Sequence, residues 1–471
     1  MSVDHCVLLS SLVVLGLSVG CKDPDTAVDD FIQDITIEMS AEISSVVTAS
    51  WTTREPSLCS VDFGVSGETI GHCCVGHEPS LEHRAVMVGI QPGSDGSLVI
   101  TAEAEDASYQ SDEQFFTTGL LAAQLPSLEV EGDENDRLWE GYTLVPLLGD
   151  EVSWVTVIDA EGVIVWAYEA GPSVHRIHIA PDGSGLFYNE HSQNPDADFP
   201  DLSESLHHVS WEGEKLLTVR GGESPHHDFL VLDNDRFVTL GNSLLPWDFG
   251  EGEVLLQGDT IMEIDREGKH SILWNTFDHM DPDVATSTEN QVGPHTGEVL
   301  DWSHGNYLSY DEDEGAYLAV LRHLDAVVSV DAGSGELLWS LAEGWGDYQS
   351  GDGEPLLSWP HSVERTDEGL VVFNQTHGGS DECSHSVTIG LDDASGVAER
   401  IGEYATDDCR QVEYLGSTHP VPNGNSLVVF SQAGIMDELS PEGELLRRLQ
   451  TELGWMYGYV THSLELLPEK D

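Results

Sequence analysis

VIDAEGVIVW (157–166), HVSWEGEKLL (208–217), EIDREGKHSILW (263–274), SVDAGSGELLW (329–339), GLDDASGVAERI (390–401) and ELSPEGELL (438–446) are six versions of one phrase. Each runs apolar, turns through Asp, Ser or Trp to Gly, and runs apolar again. That pattern predicts a β-hairpin closed by a glycine at positive φ. A second phrase alternates with the first, beginning on His and reaching a turn residue eight positions later. It reads His175…Gly183, His227…Asp235, His361…Gly369 and His462…Lys470, with Gly416…Gly424 in the frame without the histidine. His304 reaches Gly315 across an acidic insertion. Strand text such as LFYNE, FVTLG, YLAVL, LVVFN and SLVVF follows the turns. The second phrase starts at 175, 227, 304, 361, 416 and 462, which predicts one four-stranded blade per repeat with loops of unequal length. The fold class is therefore all-β, a six-bladed β-propeller over residues 138–471. A solenoid is the competing layout, but it calls for more even spacing and terminal caps.

Equivalent residues of successive blades stand at equivalent radii. Histidines recurring at one frame position therefore converge on a common axis; bonding between adjacent blades is the alternative role for them.

Ahead of the propeller, residues 31–120 alternate like short strands: ITIEMS, VVTASWTT, CSVDFG, HRAVMVGIQP, LVITAEAE and EQFFTTG. Trp51-Thr52-Thr53, Val61-Asp62-Phe63-Gly64 and Phe116-Thr117-Thr118 resemble the start, middle and end of a fibronectin type III module. The expectation is a small β-sandwich acting as a spacer or homodimer contact, followed by a linker over 121–137. At the N-terminus, Val7 to Gly20 is an apolar run too short to cross a bilayer but suited to a signal peptide. It ends in Leu17-Ser18-Val19-Gly20-Cys21, which resembles a bacterial lipobox although the MSVDH start lacks Lys and Arg. The reading is a signal peptide over 1–21, lipidation at Cys21, a polar tether over 22–30, and an exported periplasmic or cell-envelope lipoprotein. Export permits disulfides. The expected pairs are Cys59 with Cys73 or Cys74, and Cys383 with Cys409, leaving one odd thiol.

The 471 residues, roughly three domains' worth of chain, carry 17 basic and 86 acidic side chains, a net charge of −69. Nucleic acid and anionic lipid surfaces are repelled by such a chain, so neither is a partner, and membrane contact is confined to the lipid anchor. The dispersed acids suit a protein kept soluble in high salt, or one from an acidic proteome. No CxxC spacing, EF-hand loop, phosphate-binding glycine loop or GxSxG elbow occurs, so no metal and no cofactor is expected. Neighbouring strand residues face opposite ways, which argues against chelation by His207-His208 or His226-His227. Trp166, Trp274 and Trp339, which end first-phrase hairpins, read as packing between blades.

Residues 225–241 (PHHDFLVLDNDRFVTLG), 301–330, 335–341 (GELLWSL) and 360–374 (PHSVERTDEGLVVFN) resemble the bacterial arylsulfate sulfotransferases. The resemblance implies an exported six-bladed propeller using neither metal nor phosphonucleotide donor. A channel histidine would take the sulfuryl group of a phenolic sulfate ester and pass it to a phenol, making an aryl sulfate donor and a phenol acceptor the partners. Carried over, the nucleophile is His361, with His227, His304 and Arg322 assisting and Asn306 as a further hydrogen-bond donor to the sulfate. His226, Thr418 and Tyr459 are candidate substrate contacts, while His175 and His462 share the frame without a family counterpart. Pro360 stands where family members often carry Gln. Sulfuryl transfer spreads charge over three equatorial oxygens, so a fixed guanidinium and neutral imidazoles suit it. A non-catalytic propeller binding a ligand or protein at its mouth is the alternative. A quinone-dependent dehydrogenase is a third reading, though that architecture usually has more blades.

Overall fold

The computed structural model describes residues 4–7, 31–105, 107–132, 136–191, 204–220, 224–250, 252–284, 299–375 and 383–467. Six antiparallel sheets of the β-propeller follow one another from Tyr142 onward. From the axis outward, blade 1 consists of Thr461–Ser463, Tyr142–Leu148, Ser153–Ile158 and Ile164–Ala170. Blade 2 has Ile177–Ile179, Gly185–His191, Glu204–Ser210 and Lys215–Arg220; blade 3 has His226–Val231, Arg236–Asp248, Glu253–Asp265 and His270–Asn275. Blade 4 has Gly305–Asp311, Ala316–Leu321, Ala326–Asp331 and Leu337–Leu341; blade 5 has Pro360–Thr366, Gly369–Asn374, His385–Asp392 and Val397–Tyr404. Blade 6 has Ser417–Pro420, Ser426–Phe430, Ile435–Leu439 and Leu445–Thr451.

The hairpin glycines behave as the repeat predicts. Gly162, Gly213, Gly268, Gly335, Gly396 and Gly443 all have positive φ, between 67° and 91°. Side-chain oxygens brace these turns: Asp265 Oδ1 accepts from the N–H groups of Glu267 and Lys269 at 3.0 and 2.9 Å. Trp166 and Trp274 are fully buried and Trp339 nearly so; the Trp166 indole N–H of blade 1 donates to Trp211 O of blade 2 at 2.8 Å.

The ring closes twice. Thr461–Ser463, near the end of the chain, supplies the inner strand of blade 1 against Tyr142–Leu144. Leu128–Glu131, from before the propeller, pairs with Arg448–Thr451 on the outer edge of blade 6. Both closures remove unpaired strand edges.

The N-terminal region departs from expectation. In place of two facing sheets, its strands make one hydrogen-bonded sheet curled on itself. VVTASWTT and CSVDFG read as separate strands, but they are halves of one strand, Val47–Val65. Register shifts between Thr52 and Cys59 bend it, so its first half pairs with Ile32–Met39 and its second with Asp95–Glu103. Ser66 and Gly67, at φ 55° and 86°, then turn the chain tightly into Glu68–Met87. The expected Cys59 disulfide is absent as well: Cys59 is a free, buried thiol. It sits opposite Val75, while Cys74 and Cys73 lie opposite Ser60 and Val61. Cys383 and Cys409 do form a disulfide, with Cα atoms 4.8 Å apart. The apolar residues of this sheet merge with blades 1 and 2 into one core that includes Trp51, Phe63, Ile100, Val155, Trp166 and Trp211. Polar contacts border it, with Arg84 paired to Glu212 and Gln91 donating to Asp159 Oδ2 at 2.9 Å. The proposed signal peptide core and Cys21 lie outside the described residues.

Glycine positions supply a direct test of the repeat. A Cβ on Gly335, at φ +73°, would sit 2.0 Å from Leu273 O, whereas one on Gly250, at φ +97°, meets nothing within 4 Å. Urea unfolding should show Gly335→Ala losing about 3 kcal/mol and Gly250→Ala about 1 kcal/mol. Equal losses would contradict the assigned packing of blade 4 on blade 3.

Candidate active site

Each inner strand begins at the same end of the channel, and in five blades a non-glycine residue there has positive φ. These are Ser173, His227, His304, Trp359 and Leu415, with φ between 45° and 62°. Such a backbone costs roughly 1–2 kcal/mol per residue and persists where surrounding contacts enforce it. At Trp359 the enforcement is visible: its N–H donates to Asp325 Oδ1 at 2.7 Å, and its ring lies 3.9 Å from the Arg322 guanidinium carbon. The kink at His227 also breaks strand alternation. His226 and His227 were expected to face opposite ways, yet their Nδ1 atoms meet at 2.9 Å. His207 and His208 do keep separate partners, stacking on Tyr188 and Phe187 respectively.

The kinks bring a ring of imidazoles together: His175 from blade 2, His226 and His227 from blade 3, His304 from blade 4 and His361 from blade 5. Ring centroids are 5.7 Å apart for His175 and His227, and 5.2 Å for His227 and His304. Three of these imidazoles have a carboxylate behind them. His175 Nδ1 is 2.8 Å from Glu204 Oε1, His226 Nε2 is 3.3 Å from Asp259 Oδ1, and His304 Nδ1 is 2.6 Å from Asp301 Oδ2. Burial alone would lower the basicity of His175 and His226; the carboxylates outweigh it, so both are raised above 6.5. Among the described residues, no carboxylate pairs with the ring of His227 or His361. Burial, reinforced by the neighbouring positive groups, holds both far below 6.5 and therefore neutral.

Hydrogen bonds engage one nitrogen of each ring. A single proton lies between His226 Nδ1 and His227 Nδ1. At His361, Nδ1 faces Tyr459 Oη at 3.3 Å and the Asn306 amide at 3.0 Å. Tyr459 spends its own proton on Asn306 O at 2.8 Å, so its oxygen is an acceptor toward His361 Nδ1, while Asn306 Nδ2 is a donor toward the same nitrogen. Both contacts fall on Nδ1, and Nε2 is the other ring nitrogen. Arg322 is fastened on three sides, with Nε donating to Gln375 Oε1 at 3.1 Å, Nη1 to His323 Nε2 at 3.1 Å, and Trp359 beneath. Burial lowers it to about 10, which leaves it charged at neutral pH.

Of the residues singled out in the sequence, the structure gathers His227, His304, Arg322, His361, Asn306, His226, Tyr459 and the frame histidine His175. Asn306 and Tyr459 are wholly buried against His361, and His226 lies behind His227. Thr418 is buried with an unpartnered Oγ1 and its N–H on Ser362 Oγ at 3.0 Å. His462 lies elsewhere, edge-on to Trp139 at 5.7 Å. Sequence reading missed Glu204, Asp259 and Asp301, three acids among 86, although Asp301 falls three residues before His304. It also missed His323, stacked on His304 at 4.5 Å. Asp301, His304 and His323 have ligand atoms within 4.8 Å of one another. Those atoms are engaged in hydrogen bonds, His304 Nδ1 with Asp301 Oδ2 and His323 Nδ1 with Asp301 O at 2.8 Å, so the trio serves to orient imidazoles.

Below this ring a second tier closes the channel. Arg176 donates to Asp228 Oδ2 at 2.8 Å, Tyr307 Oη at 3.0 Å, Leu308 O at 3.2 Å and Val460 O at 3.4 Å. Glu364 accepts from Tyr307 Oη at 2.5 Å and lies 3.5 Å from His419 Nδ1.

Fold and site together define a six-bladed propeller with a neutral histidine, a fixed arginine and carboxylate-backed imidazoles at one mouth of its channel. Residues 131–444 match the sequence profile of the arylsulfotransferase (ASST) family, and the chain belongs to that family. No curated protein matches the chain. Among solved structures, it resembles a Bacteroides caccae protein of unknown function at 15% identity and TM-score 0.38, over 69% of this chain and 99% of that one. A periplasmic gluconolactonase of Pseudomonas aeruginosa matches at 14% identity and TM-score 0.39, over 69% and 100% of the two chains. Kuenenia stuttgartiensis hydrazine synthase matches at 12% and 0.39, over 68% and 93%.

The buried imidazoles predict a pH dependence. Burial holds His178 and His207 at about 3, and His208, His323 and His462 at about 4. Between those values and 6.5 the unfolded chain holds protons the folded chain lacks, so stability rises with pH across that window. His175 and His226, together with the carboxyls of Asp159 and Asp228 that burial lifts to about 6, pull the other way. Urea unfolding should therefore show a marked loss of stability from pH 7 to pH 5, with uptake of several protons; a flat profile would contradict the assignment.

Proposed function

We propose that the protein moves the sulfuryl group of an aryl sulfate ester to a phenolic acceptor by a ping-pong route through a sulfohistidine at His361, without a phosphonucleotide donor or cofactor. The observation that carries this reading is the state of His361, a buried neutral imidazole whose Nδ1 is held by Tyr459 and Asn306, with a charged arginine on the adjacent blade. In the first half-reaction the Nε2 lone pair forms an N–S bond as the S–O(aryl) bond breaks, and the electron pair leaves on the phenolic oxygen. In the second, the oxygen of the acceptor phenol attacks sulfur and the N–S pair returns to His361. Splitting the transfer in this way replaces one difficult displacement by two easier ones.

The remaining residues act on the equatorial oxygens. Arg322 neutralises their charge from a fixed position, so little reorganisation accompanies the transition state. His227 Nε2–H and the Thr418 hydroxyl are further donors, and His304, oriented by Asp301, adds another. Asn306 and Tyr459 hold the nucleophile. In this reading the protein is exported and anchored through Cys21. The Cys383–Cys409 disulfide supports an oxidising compartment.

The test is release of 4-nitrophenolate from 4-nitrophenyl sulfate with and without phenol, in low and high salt. Release should depend on phenol, fall by at least about 10³-fold in His361→Ala, and fall by roughly 10²-fold in Arg322→Lys. Release that needs no phenol would mean hydrolysis, and no release from folded protein would mean a binding propeller.

A further inference from the structure

His175 belongs to none of the roles above. Its side chain, 17% exposed, and that of His304, 22% exposed, are more open than those of His226, at 7%, or His323, at 6%. Like His304, His175 turns Nδ1 to a carboxylate, and its ring also bonds the His227 backbone. The two differ in place. His304 stands on blade 4, beside His361 on blade 5. His175 stands on blade 2, three blades from His361 on a ring of six, and thus across the channel axis. One tier down the same span is bridged directly: Arg176, the next residue, reaches Glu364 of blade 5 at 3.8 Å.

Displacement at a sulfuryl group places nucleophile and leaving oxygen on opposite sides of sulfur. With His361 Nε2 attacking from blade 5, the leaving oxygen points to blade 2. We infer that His175, backed by Glu204, is the general acid that protonates the departing phenolate and the general base that deprotonates the incoming phenol. The inference rests on the sulfohistidine route proposed above.

The protons balance. As the S–O(aryl) bond breaks, the proton on His175 Nε2 passes to the phenolic oxygen, and phenol departs while His175 becomes neutral. The acceptor phenol then gives its proton to the same nitrogen as its oxygen attacks sulfur, and both histidines return to their starting states. The Glu204 carboxylate beside it raises the basicity of His175 above that of a free imidazole, which suits that cycle. Its backbone is fixed as well: Asn189 Oδ1 accepts from His175 N–H at 3.2 Å, and His175 O accepts from Tyr459 N–H at 2.8 Å.

The experiment compares phenyl sulfate, whose leaving group needs a proton, with 4-nitrophenyl sulfate, whose leaving group is stable as an anion. Single-turnover sulfuryl transfer from each donor is measured in the full chain, in His175→Gln and in Glu204→Gln, with unfolding curves to establish folding. His175→Gln should lose about 10²–10³-fold with phenyl sulfate and at most roughly tenfold with 4-nitrophenyl sulfate. Glu204→Gln, which retains the imidazole but removes its counter-charge, should shift the alkaline limb of the phenyl sulfate pH profile downward. Equal losses with both donors, or an unmoved limb in a folded Glu204→Gln protein, would overturn the role of His175 and leave the sulfohistidine route standing. Failure of the unaltered protein to transfer from either donor would overturn the route and this inference with it.

Discussion

The guanidinium of Arg176 stands on the propeller axis, and its hydrogen bonds tie together blades 1, 2, 3 and 4 while its charge faces Glu364 of blade 5. A buried cation survives only when paired and hydrogen-bonded. Burial lifts Asp228 to about 6, yet that still leaves it ionised at neutral pH beside the arginine. Because Asp228 Oδ2 also accepts from Leu308 N–H at 2.9 Å, the same carboxylate fixes the inner strand of blade 4 relative to blade 3. The floor of the channel is thereby set to within hydrogen-bond tolerances. Everything in the histidine tier lies one to three residues along the same strands.

That adjacency explains how one constraint serves two tiers. His175 precedes Arg176, His227 precedes Asp228, Asn306 precedes Tyr307, and Tyr459 precedes Val460. In each pair one residue locks the floor and its neighbour faces the site. The left-handed kinks above the floor supply the remaining adjustment, turning rings toward the axis where a regular strand would send them aside. Charge is arranged on the same principle. In a chain of net charge −69, Arg322 and a cluster of histidines stand at the mouth with Arg176 below them, and buried acids raise the basicity of His175 and His226.

Much of the propeller was legible because a repeat multiplies weak signals. One Asp- or Ser-to-Gly turn says little, but six in alternation with the second phrase specify blade count and order. The same alternation put His227, His304 and His361 on one axis, and Arg322 and Asn306 followed from family resemblance. Single-copy features were harder to read. The bend of Val47–Val65 depends on register shifts that no composition marks, so one strand passed for two. The contact of His226 with His227 depends on a backbone angle, and the partners Glu204 and Asp259 are remote in sequence. His175 held the frame, but its opposition to His361 emerges only when blades are counted around a closed ring.

The central claim is that His361 carries the sulfuryl group. It is tested by mixing the protein with a ³⁵S-labelled aryl sulfate in the absence of acceptor, quenching in base, and mapping the labelled peptide. The account predicts one labelled site, His361, discharged on addition of phenol and lost in His361→Asn. Label on another residue, or phenol-dependent turnover with no labelled protein at any time, would contradict it.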